Sequence, residues 1–202
     1  MNFGPTSCAP DELSLFNKKR MSYQTITRKG SFDSAHRVMN EKMKCYNLHG
    51  HTYLYDLTFK FDQIEDIGYA IDFKEIKRVG CQWIDDKMDH GTIVNPKDYC
   101  VIEACKALNS KIWYMSLNGV DEYCNPSVEN IAKEIFLAIT FLLNDDRLKL
   151  QEIKLYETPN CFTICYQNSY TQKEKINFLA TNQTELEKYK QDMGKIEYDD
   201  RK

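Results

Sequence analysis

The chain contains no CxxC pair, no charged-then-apolar leader at its start and no apolar run long enough to span a bilayer. Its eight cysteines are scattered along 202 residues, which argues for a reducing, cytoplasmic setting. The longest apolar run, residues 135–143, is better read as part of a buried helix, so a soluble protein with no membrane partner is expected. A basic excess is also missing. With 27 Lys+Arg against 30 Asp+Glu the formal net charge is -3, which excludes the electrostatic footprint of a nucleic-acid binder and requires any anionic ligand to meet a local basic patch. No shift in composition divides the chain, so one domain with tails is the default.

Histidine is scarce too, and that makes its placement informative. Three of the four histidines fall within residues 32–53, FDSAHRVMNEKMKCYNLHGHTY. His49 and His51 flank Gly50, and on an extended backbone residues two apart face the same way. His36 ends an upstream segment that also reads as a strand, and a third imidazole there would complete the His₃ set of a catalytic zinc with one open position. Cys45 stands four residues before His49, where it is either a reactive thiol beside that metal or the fourth ligand of a closed structural site.

Residues 1–20, with Gly4-Pro5 and Ala9-Pro10, read as an irregular arm. Residues 23–33 and 52–62 alternate as strands and are expected to pair antiparallel, the loop 37–48 between them. Asp72 is a plausible N-cap with Glu75 completing a capping box, and Phe73, Ile76, Val79, Trp83 and Ile84 form the apolar stripe of a helix stopping near Gly91. Gly80 is a weak point within it. Within 92–125 a short helix (99–108), a short strand (111–115) and a turn at Asn118-Gly119 are expected. Residues 127–143 form the strongest helix, capped by Ser127 with Glu129 in its first turn. Two strands, 150–156 and 161–167, follow as a hairpin around residues 157–160. The order is β-β-α-α-β-β, an α+β layout with an antiparallel sheet. The tail, residues 169–202, is polar, with helical character only at 184–193.

FDSAH ending at His36, CYNLHGH from Cys45 to His51, IDF at Ile71, MDH at Met88, NPSVEN at Asn125 and YETPN at Tyr156 together resemble the 6-pyruvoyl-tetrahydropterin synthase and 6-carboxy-tetrahydropterin synthase family. The motifs run in order through residues 23–167. The resemblance implies the tunnelling fold (T-fold), in which subunits join their sheets into an oligomeric β-barrel, commonly a homohexamer of two trimers with active sites between subunits. On that basis residues 21–168 are the catalytic domain, with an insertion at about 92–125 and a C-terminal extension from 169 to 202. The resemblance assigns His36, His49 and His51 to Zn2+, Cys45 to the catalytic thiol, Asp89 with His90 to a proton-transfer dyad, and Glu157 to anchoring the pterin. Ser127 and Glu129 hold a second family position near the ring.

These roles suit the residue types. A His₃ zinc is a Lewis acid towards substrate hydroxyls, and a thiol beside a dication ionises more readily. A carboxylate next to an imidazole fixes its tautomer, although adjacency in sequence does not establish that contact. A carboxylate also matches the paired N–H groups of a pterin. Simpler roles remain open: helix end for His90, turn acid for Glu157, helix cap for Ser127 and Glu129. The three-residue spacer between Cys45 and His49 resembles the carboxy branch. The implied reaction converts 7,8-dihydroneopterin triphosphate to 6-carboxy-tetrahydropterin, acetaldehyde and triphosphate, on the route to queuosine. The pyruvoyl-forming reaction and a non-catalytic zinc or pterin-binding oligomer are the alternatives. Arg37, Lys42 and Lys44 are candidates to receive the triphosphate, with a solvated charged loop as the equally open alternative.

Overall fold

Alternating side chains of one long strand pair organise the sheet. In the computed structural model, which describes residues 23–40, 42, 44–143 and 145–193, β1 (Gln24–His36) pairs antiparallel with β2 (His49–Phe61) without a break, from Gln24↔Phe61 to His36↔His49. Tyr53, Tyr55, Leu57 and Phe59 turn to one face and are buried, as the period of two requires. The expected arm, residues 1–20, lies outside the described residues.

Beyond a short 3₁₀ turn at Lys44–Tyr46, the chain order is α1 (Phe73–Ile76), a π-helical segment (Lys77–Cys81), α2 (Gln82–Lys87), β3 (Gly91–Val94), α3 (Tyr99–Ala107) and β4 (Ile112–Tyr114). α4 (Val128–Leu142), β5 (Lys149–Thr158), β6 (Cys161–Tyr166) and α5 (Gln172–Met193) follow. The sheet order is β4-β3-β1-β2-β5-β6. The two expected antiparallel pairs, β1-β2 and β5-β6, are joined through an antiparallel β2-β5 pairing, but β3 runs parallel to β1 and β4 parallel to β3, so the sheet is mixed rather than purely antiparallel. Residues 91–114 thus form a β3-α3-β4 crossover at one edge of the sheet. β3 escapes the alternation test because Thr92, Ile93 and Val94 are all buried, which erases the period of two.

The expected helix after Asp72 forms as three consecutive segments. Asp72 caps it by accepting from Lys74 N, whereas the Glu75 carboxylate receives the Arg78 guanidinium. The π segment contains Gly80, where an added Cβ would meet Leu143 Cδ1 at 3.2 Å, so glycine lets this rod lie against the end of α4. α4 is capped by Ser127 and buries Ile131, Ile135, Ile139 and Leu142 on the sheet.

Residues 169–193 are more ordered than their polarity suggests. α5 begins at Gln172, well upstream of residue 184, and buries Phe178, Asn182 and Leu186 at fourth-residue spacing. Its start is a capping box: Glu174 N donates to Thr171 Oγ1 (3.1 Å) and Thr171 N to Glu174 Oε2 (2.6 Å). That T-x-x-E pattern was legible in the sequence. Among the described residues no helix is long and apolar enough to cross a membrane.

One buried carboxylate connects insertion, core helix and tail. Glu134 of α4 is 0% exposed and accepts from Trp113 Nε1 at 2.7 Å, from Ser116 N and from Ser116 Oγ at 3.1 Å, while Asn182 Nδ2 of α5 donates to the same Ser116 Oγ at 2.9 Å. Burial pushes Glu134 up to about 7, against the pull of these donors. Its folded value exceeds its unfolded one, so its contribution is full below pH ~4.5 and declines as pH rises to ~7. At about 1.4 kcal/mol per pH unit the decline is of the order of 3 kcal/mol. Urea unfolding of wild type and Glu134→Gln between pH 4.5 and 8 checks this: the wild-type stability should fall relative to the variant across that window, and parallel profiles would refute it.

Candidate active site

The β1/β2 register delivers His36 and His49 opposite one another, with His51 two residues along the same face. The ring centroids lie 4.6 Å (His36–His49), 5.2 Å (His36–His51) and 4.8 Å (His49–His51) apart. His36 Nδ1 stands 2.7 Å from the Pro126 carbonyl oxygen and His49 Nδ1 2.7 Å from that of Asn47. A carbonyl only accepts, so both protons sit on Nδ1 and each Nε2 keeps its lone pair. The buried Nε2 atoms of His36 and His51 have no hydrogen-bond partner. Burial lowers His36 to about 4, the two neighbouring imidazoles acting the same way against the Pro126 bond. Burial likewise lowers His51, opposed by Glu157. Three imidazoles with ligand atoms mutually within 4.8 Å are the donor set a His₃ zinc uses, so these residues fit the metal.

Glu157 reaches the same place through a sheet irregularity. Tyr156 pairs with Phe162 and Thr158 with Cys161, leaving Glu157 as the bulged residue between them. Its Oε1 stands 3.5 Å from His36 Nε2 and 3.9 Å from His51 Nε2. With His36 uncharged at neutral pH the closer contact is not an ion pair. A carboxylate facing the His36 Nε2 lone pair is favourable only with a cation or a donor-bearing ligand between them.

Asp89 and His90 are in contact, which adjacency alone did not establish. His90 Nδ1 and Asp89 Oδ2 are 2.6 Å apart, made possible by a left-handed backbone at His90 (φ 53°) just beyond α2. The strand clamps the pair: Asp33 N donates to Asp89 Oδ1 and His90 N to Asp33 O, both at 2.7 Å. Lys111 Nζ also donates to the Asp89 carbonyl at 2.6 Å. Partial burial pushes Asp89 up, but the Asp33 N–H, His90 and Lys111 together outweigh it and hold the carboxyl below its ordinary range.

Among the described residues, the histidine triad and the cluster Asp33, Asp89 and His90 are two separate groups. Asp33 pairs with Thr52, so by strand alternation both point away from the face that carries His49 and His51. Cys45 is exposed in the 3₁₀ turn, outside the histidine group, and Val38 N donates to its carbonyl at 2.8 Å. Ser127 caps α4, and Glu129 is exposed in its first turn. Arg37 is committed elsewhere: its guanidinium grips buried Asp98 bidentately, so its charge is not available to a triphosphate as expected. Lys42 and Lys44 are exposed. Asp33 and the carbonyls of Pro126 and Asn47 were not singled out from sequence. A main-chain carbonyl carries no residue signal, and Asp33 acts largely through its backbone.

A family model described as 6-pyruvoyl tetrahydropterin synthase matches residues 25–168. The chain belongs to this family. A 6-carboxy-5,6,7,8-tetrahydropterin synthase of Rickettsia felis is 35% identical over 140 residues, covering 67% of this chain and 95% of the relative. A 6-pyruvoyl tetrahydrobiopterin synthase of Dictyostelium discoideum is 26% identical over 151 residues, covering 69% and 93%. The solved 6-pyruvoyl tetrahydropterin synthase of Caenorhabditis elegans superposes with a TM-score of 0.52 at 22% identity, over 74% of this chain and 99% of that one. The tunnelling fold inferred from the motifs is therefore the fold of this chain.

The Asp89 clamp can be measured. Replacing His90 with Asn removes one of the groups that lower Asp89, so the carboxyl should titrate closer to, or above, its ordinary value, read by 13C NMR of the side-chain carboxyl. An unchanged midpoint would show that the imidazole does not hold it.

Proposed function

We propose that this chain is a zinc-dependent 6-carboxy-5,6,7,8-tetrahydropterin synthase. It converts 7,8-dihydroneopterin triphosphate to 6-carboxy-tetrahydropterin, acetaldehyde and triphosphate, a lyase step towards queuosine and other 7-deazaguanines. The observation that carries the metal reading is the convergence of His36, His49 and His51, whose ligand atoms lie within 4.8 Å of one another, with Nδ1 of His36 and of His49 engaged by main-chain carbonyls. The carboxy branch is supported by the three-residue spacer after Cys45 and by the Rickettsia relatives, named as carboxy synthases at 33–36% identity.

Bound zinc would act as a Lewis acid, lowering the cost of ionising the substrate's side-chain hydroxyls. The other work falls to the chain. Glu157, a carboxylate beside the triad, accepts the paired amino and ring N–H groups of the pterin. Cys45 takes a proton from the side chain. His90 relays protons through Nε2, because Asp89 holds its Nδ1 and the strand clamps both. Ser127 and Glu129 border the ring end at the start of α4.

The assembly proposed is a homohexamer of two trimers with sites between subunits. β1 is paired on its outer side by β3 only at Ser34–His36, and β6 ends the sheet, so each subunit presents two strand edges for neighbours. Leu54, Phe162, Ile164 and Tyr166 are exposed large apolar side chains on β2 and β6. Since Asp89 and His90 are clamped to the strand away from the triad, a neighbouring subunit's dyad would serve each triad. A cytoplasmic location fits the seven described cysteines, all of them free. The second reading is the 6-pyruvoyl synthase reaction on the same substrate, favoured by the Dictyostelium relative's name.

Product analysis by mass spectrometry, with zinc-loaded protein and 7,8-dihydroneopterin triphosphate, should show the 6-carboxy product and acetaldehyde. A pyruvoyl product would overturn the branch, and no turnover with zinc bound would favour a binding module. Cys45→Ala should retain zinc and lose activity by about 10²-fold or more, whereas His49→Ala should lose zinc. A zinc-free Cys45→Ala protein would refute the open-site assignment.

A further inference from the structure

The stretch just after His36 is gripped by residues of the insertion, through one fully engaged amide. Asn125 Oδ1 accepts from Met39 N (3.0 Å) and Asn95 Nδ2 (2.9 Å), and Asn125 Nδ2 donates to Met39 O (3.0 Å) and Tyr123 Oη (2.9 Å). All four hydrogen-bonding positions of the amide are used, and a flipped amide would break both bonds to Met39 and the one from Asn95. Asn95, itself 1% exposed, is oriented in turn because its Oδ1 accepts from Lys97 N at 3.0 Å and Cys124 N at 3.3 Å. The Asn125 carbonyl receives Asn130 Nδ2 of α4 at 3.0 Å. Asn125 is therefore held at both side chain and main chain.

The next residue is Pro126, whose carbonyl receives His36 Nδ1. The proline ring fixes φ at about −65°, so the direction of its carbonyl is tied closely to how the preceding Asn125 main chain is held. We infer that Asn125, oriented by Asn95, is a positioning residue for the histidine centre: it keeps the Pro126 carbonyl against His36 Nδ1 and so maintains the His36 tautomer whose Nε2 faces the other two imidazoles. A neutral amide performs this without placing another charge beside the triad. The insertion thereby acquires a function, as the outer support of the metal site. Groups of this kind typically contribute 10–100-fold to metal affinity. The inference rests on the zinc reading above.

The test uses the full-length chain, freed of metal by chelation and refilled with zinc against a chromophoric competitor, with circular dichroism as the check on folding. Asn125→Ala and Asn95→Ala should each bind zinc about 10–100-fold more weakly than wild type. The side-chain 15N shifts of His36 in the metal-free variants should show loss of the Nδ1–H tautomer, a change that mere loosening of a loop elsewhere would not produce. Wild-type zinc affinity with an unchanged tautomer in both variants would overturn the inference while leaving the zinc reading intact. No zinc uptake by wild type would overturn both. If Asn125→Ala does not fold, Asn95→Ala, which leaves the Met39 bonds in place, decides the matter alone.

Discussion

The uninterrupted register between β1 and β2 is the constraint on which the rest depends, because it ends on His36 opposite His49. A slip of one residue would turn His49 and His51 to the other face together with Tyr53, Tyr55, Leu57 and Phe59. The facing of the histidines and the burial of four large side chains therefore share one alignment. Burying each such side chain contributes of the order of 2 kcal/mol, so the core enforces a register from which the site benefits.

The same strand pair explains what was legible in the sequence. Strict alternation in residues 52–62 and the H-G-H spacing predicted both the pairing and the facing of the rings, because period-two geometry is local. α4 was equally plain, since its cap, apolar stripe and length agree. β3 was not, because burial on both faces leaves no alternation to detect. α5 was under-read for a different reason: its exposed face is so polar that Phe178, Asn182 and Leu186 barely register, although Thr171 and Glu174 marked its start.

Side-chain alliances over long separations were the least legible part of the site. Arg37 sits in the run of basic residues that suggested a triphosphate contact, yet its partner Asp98 is 61 positions away and becomes adjacent only because the β3-α3-β4 crossover returns to the end of β1. Glu157 reads in the sequence as part of the polar hairpin connection 157–160, whereas the bulge extends β5 through Thr158 and turns the carboxylate towards His36 and His51. In both cases residue type was visible and direction was not.

The crossover also reconciles an open sheet edge with a protected site. β3 covers only the last three pairs of β1, Ser34 to His36, and leaves the preceding residues of that edge to a neighbour in the proposed barrel. Had β3 run the length of β1, the edge would be closed and subunits could not join there. Had it been absent, the histidine end would itself be an exposed edge open to mispairing. The short parallel contact separates the two demands, and by beginning at Gly91 it places Asp89 and His90 where the covered part of the β1 edge gives way to the part left open for a neighbour in the proposed barrel.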